Sequence, residues 1–125
     1  MNLPSAASGA VRVLLVEDDR VQQLLVSTLL EREGCLVDLA EDGHEALALW
    51  QEHRHTLVVT DCRMPRMDGY AFTQALRALP GGDSVTVVGM SADTDDRVRA
   101  RQAGMNALLD KPLTASAVAQ LLRRG

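Results

Sequence analysis

The run Leu57-Val58-Val59-Thr60, closed by Asp61, constrains the fold more than any other stretch of the chain. A short apolar, β-branched run bounded by turn residues reads as a buried strand, here Thr56 to Thr60. The chain then passes through Cys62-Arg63-Met64-Pro65-Arg66-Met67-Asp68-Gly69 before a helical pattern begins. A strand that ends this way presents its carboxylate at the carboxyl edge of a sheet, where open α/β folds bind ligands. Two other strand ends carry matching chemistry. The run Val11 to Val16 leads into Glu17-Asp18-Asp19, and Ala107-Leu108-Leu109 leads into Asp110-Lys111-Pro112. Several acids and one lysine, each at a strand end, outline a site for a divalent cation and a phosphoryl group.

Strands and helices alternate five times. Asp19 with Gln22 forms a capping-box pattern opening the first helix, and Val21, Leu24, Leu25, Thr28 and Leu29 give it an apolar stripe of helical period. Gly34 ends it. Cys35 to Leu39 alternates as a half-exposed edge strand does. Asp42 with Glu45 is a second capping box, followed by Ala46, Leu47 and Trp50 as an inner face. The third helix runs from about Gly69 to Leu79, with Phe72, Leu76 and Leu79 spaced for burial, and Pro80-Gly81-Gly82 breaks it. Val85 to Met90 is the fourth strand. The fourth helix follows Asp93 and ends near Gly104, an αL cap. Thr114 caps the last helix, with Val118, Leu121 and Leu122 on its inner face. Three of the strands are nearly continuously apolar, as buried parallel strands are. The expected architecture is a single doubly wound α/β domain.

Five ordered elements then resemble one family: Glu17-Asp18, Asp61, Met64-Pro65 with Met67-Asp68-Gly69, Ser91-Ala92, and Lys111-Pro112. Together they resemble the receiver domain of response regulators in two-component signalling, most of all the receivers of hybrid sensor histidine kinases. The resemblance implies a flavodoxin-like (βα)5 fold with strand order 2-1-3-4-5. It implies that Asp61 accepts a phosphoryl group from phosphohistidine. It implies Mg²⁺ held directly by Asp61 and Asp18, by the main-chain carbonyl of Arg63, and through water by Glu17. Ser91 and Lys111 would contact phosphoryl oxygens. The implied partners are a histidine kinase and, in a relay, a histidine phosphotransfer domain. A stand-alone receiver acting as an interaction switch is the alternative context.

The chain departs from the family at Leu108, where an aromatic residue is usual. That leaves the usual aromatic switch without its side chain. Arg63 and Asp93, two residues beyond the acceptor and the serine, carry opposite charges that either pair across the mouth of the site or point into solvent. A phosphatase of the haloacid dehalogenase type also uses a strand-end aspartate. It needs a second aspartate where Arg63 stands, and a cap domain for which the chain has no room. A pseudo-receiver, a pure interaction module, would have lost the acids or the lysine, and none is lost.

The rest of the composition narrows the classes further. The 125 residues suit one domain, taken here as a receiver over 11–123 after a Ser/Ala/Gly-rich linker over 1–10. A net charge of −4 leaves no basic footprint for nucleic acid. There is no membrane-length apolar run and no signal-peptide pattern at the start. Cys35 and Cys62 fall at opposite sheet edges, too far apart for a disulfide, which fits a cytoplasmic setting. Lys111 is the only lysine of the chain. His44, His53 and His55 are expected at the surface of the second helix and its exit, Trp50 in the packing, and Arg97, Arg99 and Arg101 on a solvated face of the fourth helix.

Overall fold

Residues with no polar side chain to satisfy form the centre of the sheet, and the fold grows outward from them. The computed structural model describes residues 10–93 and 95–124. The expected linker at 1–10 therefore lies outside the described residues except for Ala10. Among the described residues five strands alternate with five α-helices: β1 Arg12–Val16, α1 Arg20–Arg32, β2 Leu36–Ala40, α2 Gly43–His53, β3 Leu57–Asp61, α3 Gly69–Arg77, β4 Thr86–Ser91, α4 Asp96–Ala103, β5 Ala107–Asp110 and α5 Ala115–Arg124. The sheet is wholly parallel, in the order β2-β1-β3-β4-β5. This is the (βα)5 arrangement the sequence resemblance implied.

Side chains alternate across each strand and so divide between two apolar layers. Val13 and Leu15 of β1 pack with Val26 and Leu30 of α1 and Val118 of α5. Leu14 and Val16 pack on the other face with Trp50, Phe72, Leu76 and Ala100. β3 and β4 sit one residue later than the periodicity suggests, so that both Asp61 and Ser91 are ladder residues, paired with Met90 and Asp110. Gly104 ends α4 with φ 102°, the left-handed conformation expected of it.

Three expectations are corrected here. The stripe Val21, Leu24, Leu25 and Thr28 does not face the core: Val21 and Leu24 are 73% and 70% exposed, and Val26 and Leu30 are the buried residues of α1. Both faces of this helix carry apolar residues at helical spacing, so periodicity alone fits two rotations of the same helix. The capping boxes are only half made. Asp19 accepts from the main-chain N–H groups of Val21 and Gln22, but Gln22 does not reciprocate. Asp42 accepts from Glu45 N–H, whereas the Glu45 carboxylate takes the N–H of Glu41.

The third correction is His55, which is buried rather than at the surface. Its Nε2 lies 2.7 Å from Asp38 Oδ2, and its carbonyl accepts from Trp50 Nε1 at 3.0 Å. Burial pushes the His55 pKa down, so the neutral ring donates Nε2–H to an ionised Asp38. Arg12 binds the same carboxylate through two nitrogens, at 2.7 and 3.2 Å. The carboxylate that partners it lies on the preceding strand, 17 residues earlier, and spacing along the chain does not reveal it.

The Arg12 hydrogen bond, with that of His55, holds the Asp38 carboxyl at about 2, below its usual 3.8. A carboxylate whose pKa is depressed on folding stabilises above its unfolded pKa and loses that contribution as pH falls through the folded one. Asp38→Ala should therefore cost about 1–3 kcal/mol at pH 7. The difference from the parent should narrow between about pH 4 and about pH 2. Urea unfolding of both proteins across that range checks it, and a pH-independent gap would contradict it.

Candidate functional site

The carboxyl ends of β1 and β3 bring the acids together. Glu17 extends the sheet edge by donating its N–H to the carbonyl of Ala40 at 2.9 Å. The chain then turns outward, so Glu17 is buried, Asp18 is exposed, and Asp19 is free to cap α1. One carboxylate oxygen from each of Glu17, Asp18 and Asp61 lies within 4.8 Å of the others. Arg63 N–H donates to Asp61 Oδ1 at 3.2 Å. β5 delivers the positive charge. Lys111 N–H bonds the carbonyl of Ser91 at 2.9 Å, and its ammonium lies 3.0 Å from Asp61 Oδ2 and 3.3 Å from Glu17 Oε1. The Lys111-Pro112 bond is cis.

These contacts set the charge states. Burial raises the Glu17 carboxyl to about 7, helped by the neighbouring charge of Asp61, against the opposing pull of Asp19 N–H and Lys111. Burial alone would lower Lys111, but the hydrogen bond to Asp61 and the charges of Asp61 and Glu17 outweigh it and raise the ammonium pKa. The cluster offers several hard oxygen ligands on one side and a fixed cation on the other. Hard divalent ions that retain water, such as Mg²⁺, suit such a donor set. Of the six expected site residues, Glu17, Asp18, Asp61 and Lys111 converge directly, and Arg63 joins through its main chain.

Ser91 sits at the adjacent strand end but is already engaged. Its Oγ accepts from Asp93 N–H at 3.0 Å and donates to the Asp96 carboxylate. The Arg63–Asp93 pair does not form: Arg63 Nη2 bonds Asp96 Oδ1 at 2.6 Å. Asp93 is turned back on its own loop, where Oδ1 accepts from Asp95 N–H at 2.9 Å. Sequence reading missed Asp96, because one acid in the run Asp93 to Asp96 looks like another until the first turn of α4 aims it inward. It also missed Tyr70, buried in α3 with its hydroxyl unpartnered beside Cys62 and Asp96. Arg99 lies over the Tyr70 ring at 4.2 Å, so it is packed as well as exposed. Leu108 is half-buried against the apolar layer on that side of the sheet. His44 is exposed and takes no part in the cluster.

The response regulator receiver domain profile matches residues 13–123. With this fold and this acidic strand-end cluster, the chain belongs to that family, whose members are the phosphoryl-accepting modules of two-component systems and bind Mg²⁺ at an acidic site. The virulence sensor protein BvgS of Bordetella pertussis is 36% identical over 126 residues, covering 95% of this chain and 10% of BvgS. The chain thus spans about a tenth of the length of that relative. The probable chemotaxis protein CheY of Rhizobium etli is 36% identical over 107 residues and 83% of each chain. The receiver domain of sensor histidine kinase PA1611 from Pseudomonas aeruginosa, solved with a magnesium ion coordinated in its active site cleft, superposes with a TM-score of 0.86. It is 34% identical and matches over 93% of this chain and 97% of that one.

The loop from Asp61 to α3 closes tightly over the end of β3. Gly69 N–H bonds the carbonyl of Cys62 at 3.1 Å, and a Cβ at Gly69 would stand 2.2 Å from the carbonyl oxygen of Asp61. Gly69→Ala must therefore move β3 or the start of α3, at a cost of about 1–3 kcal/mol. Urea midpoints that match the parent would show that the loop gives way without cost.

Proposed function

We propose that Asp61 is the phosphoryl acceptor of this receiver and that Mg²⁺ is held by Asp18, Asp61 and the Arg63 carbonyl, with Glu17 acting through water. The observation that supports this best is the convergence of Glu17, Asp18 and Asp61 oxygens within 4.8 Å, beside the ammonium of Lys111. An Asp61 oxygen attacks phosphorus of a phosphohistidine; the P–N bond breaks and its electron pair stays on the imidazole nitrogen, leaving an acyl phosphate. Bound Mg²⁺ supplies the positive charge that offsets repulsion between the carboxylate and the anionic phosphoryl group. Lys111, only partly exposed and already paired with Asp61, orients the carboxylate and then meets a phosphoryl oxygen as a point charge.

The donor we infer is a histidine kinase core or a histidine phosphotransfer domain. The apolar side chains Val21, Leu24 and Leu25 stand exposed on the first turns of α1, which start directly after Asp18 and Asp19. They give a docking helix an apolar patch at the mouth of the site. The similarity to BvgS supports a place within a hybrid sensor kinase. The similarity to a probable CheY of comparable length supports a stand-alone receiver. Both contexts support a cytoplasmic setting, in which free, buried Cys35 and Cys62 stay reduced. No helix among the described residues is long and apolar enough to cross a membrane.

Acetyl phosphate with Mg²⁺ should label the parent protein at Asp61, and Asp61→Asn or removal of divalent metal should abolish the adduct in intact-mass and peptide spectra. Labelling undiminished in either case would reject the assignment. Asp18→Ala should weaken Mg²⁺ binding by about tenfold or more, while Asp19→Ala, which removes a helix cap, should leave it near the parent value. Calorimetric titration separates the two, and equal losses would put the acidic pair in the wrong register.

A further inference from the structure

Ser91 Oγ and Arg63 Nη2 meet on the same carboxylate, one on each oxygen of Asp96. Asp96 is 3% exposed, and a carboxylate so buried must be paired. The Arg63 guanidinium, 2.6 Å from Oδ1, supplies that pairing charge, so Asp96 stands as a carboxylate that accepts from both neighbours. The Ser91 hydroxyl has one proton. Two acceptors lie within its reach, the Asp96 carboxylate and the Asp93 carbonyl at 3.1 Å, and the charged one is the stronger. While that proton is given to Asp96, none remains for a phosphoryl oxygen on Asp61.

Two neighbours make the arrangement reversible. Arg63 follows the acceptor by two residues, and its guanidinium stays on Asp96 if the serine leaves. The Tyr70 hydroxyl is buried close to the same carboxylate and to Cys62, without a well-formed hydrogen bond to either. Of these groups it is the donor that could answer the carboxylate once the serine leaves. β5 itself carries only Ala107, Leu108, Leu109 and Asp110, with no aromatic side chain.

We propose that Asp96 is a positioning residue for phosphoryl acceptance: a competing acceptor on α4 that holds the Ser91 hydroxyl and releases it when Asp61 carries a phosphoryl group. The proposal deepens the acceptor reading and rests on it. Release of Ser91, with Tyr70 taking its place, couples the occupancy of Asp61 to the junction of α3 and α4 without an aromatic residue on β5. The penalty for release also weakens the phosphorylated state, and removing Asp96 relieves it.

Beryllofluoride, a phosphoryl mimic, is titrated in excess Mg²⁺ and followed by its fluorine resonances. The proteins are the parent, Asp96→Ala, Asp96→Asn, Ser91→Ala, and Ser91→Ala combined with each Asp96 change. Asp96→Ala should tighten beryllofluoride binding about tenfold, the size of one hydrogen bond to a charged acceptor. Asp96→Asn keeps the shape without the charge, and should tighten it about threefold. Neither change should alter the affinity for Mg²⁺ alone, and both gains should vanish when Ser91 is alanine. A purely structural role would leave the same change with or without the serine hydroxyl, and that result overturns the proposal. So does binding that is unchanged or weaker in both Asp96 variants. If Asp96→Ala does not fold, the Asp96→Asn cycle decides alone. A parent protein that binds no beryllofluoride overturns the acceptor site itself and this role with it.

Discussion

Three carboxylates crowded at one end of a sheet repel one another, and the ammonium of Lys111 is what lets the folded chain hold them there. It lies within salt-bridge distance of both Asp61 and Glu17 and is itself mostly shielded from solvent. In that partly buried setting each contact is stronger than at an open surface, and loss of one partner leaves an uncompensated charge. In the proposed acceptor role the same ammonium would meet the added charge, since it already lies against Asp61. The remaining strain falls on Glu17, whose carboxyl is pushed to about 7 by burial. A cation placed among the acids relieves that strain, so folding leaves the site short of positive charge.

The sheet makes this arrangement possible because parallel strands bring all their carboxyl ends to one edge. β1, β3, β4 and β5 supply the acids, the serine and the lysine from positions far apart in sequence. That edge was legible in the sequence because each apolar strand is followed at once by a polar residue of definite chemistry. Asp61, Glu17-Asp18 and Lys111 follow from sequence because strand ends are fixed by short-range pattern. The (βα)5 alternation was legible for the same reason.

What the sequence concealed depends on rotation and on long-range approach. α1 is apolar on more than one face, so its spacing did not say which side packs on β1. His55 reads as a surface residue until Asp38 and Arg12, on neighbouring strands, close over it. Arg63 had two acids within reach in the segment after Ser91. The local turn that ties Asp93 to Asp95, and the entry of α4, decided for Asp96. These choices are made between segments distant in sequence, where propensity and spacing carry no information.

Trp50 is the only tryptophan of the chain, and its surroundings determine what an optical signal from this protein reports. It is buried at the end of α2, hydrogen-bonded to the His55 carbonyl and covered by the Arg54 guanidinium at 4.4 Å. His55 lies just before the amino end of β3, whereas the acids sit beyond the carboxyl ends. The indole emission therefore follows the integrity of the opposite pole of the sheet. Intrinsic fluorescence measures whether this domain is folded, and events among Glu17, Asp18 and Asp61 call for a reporter placed at their own edge.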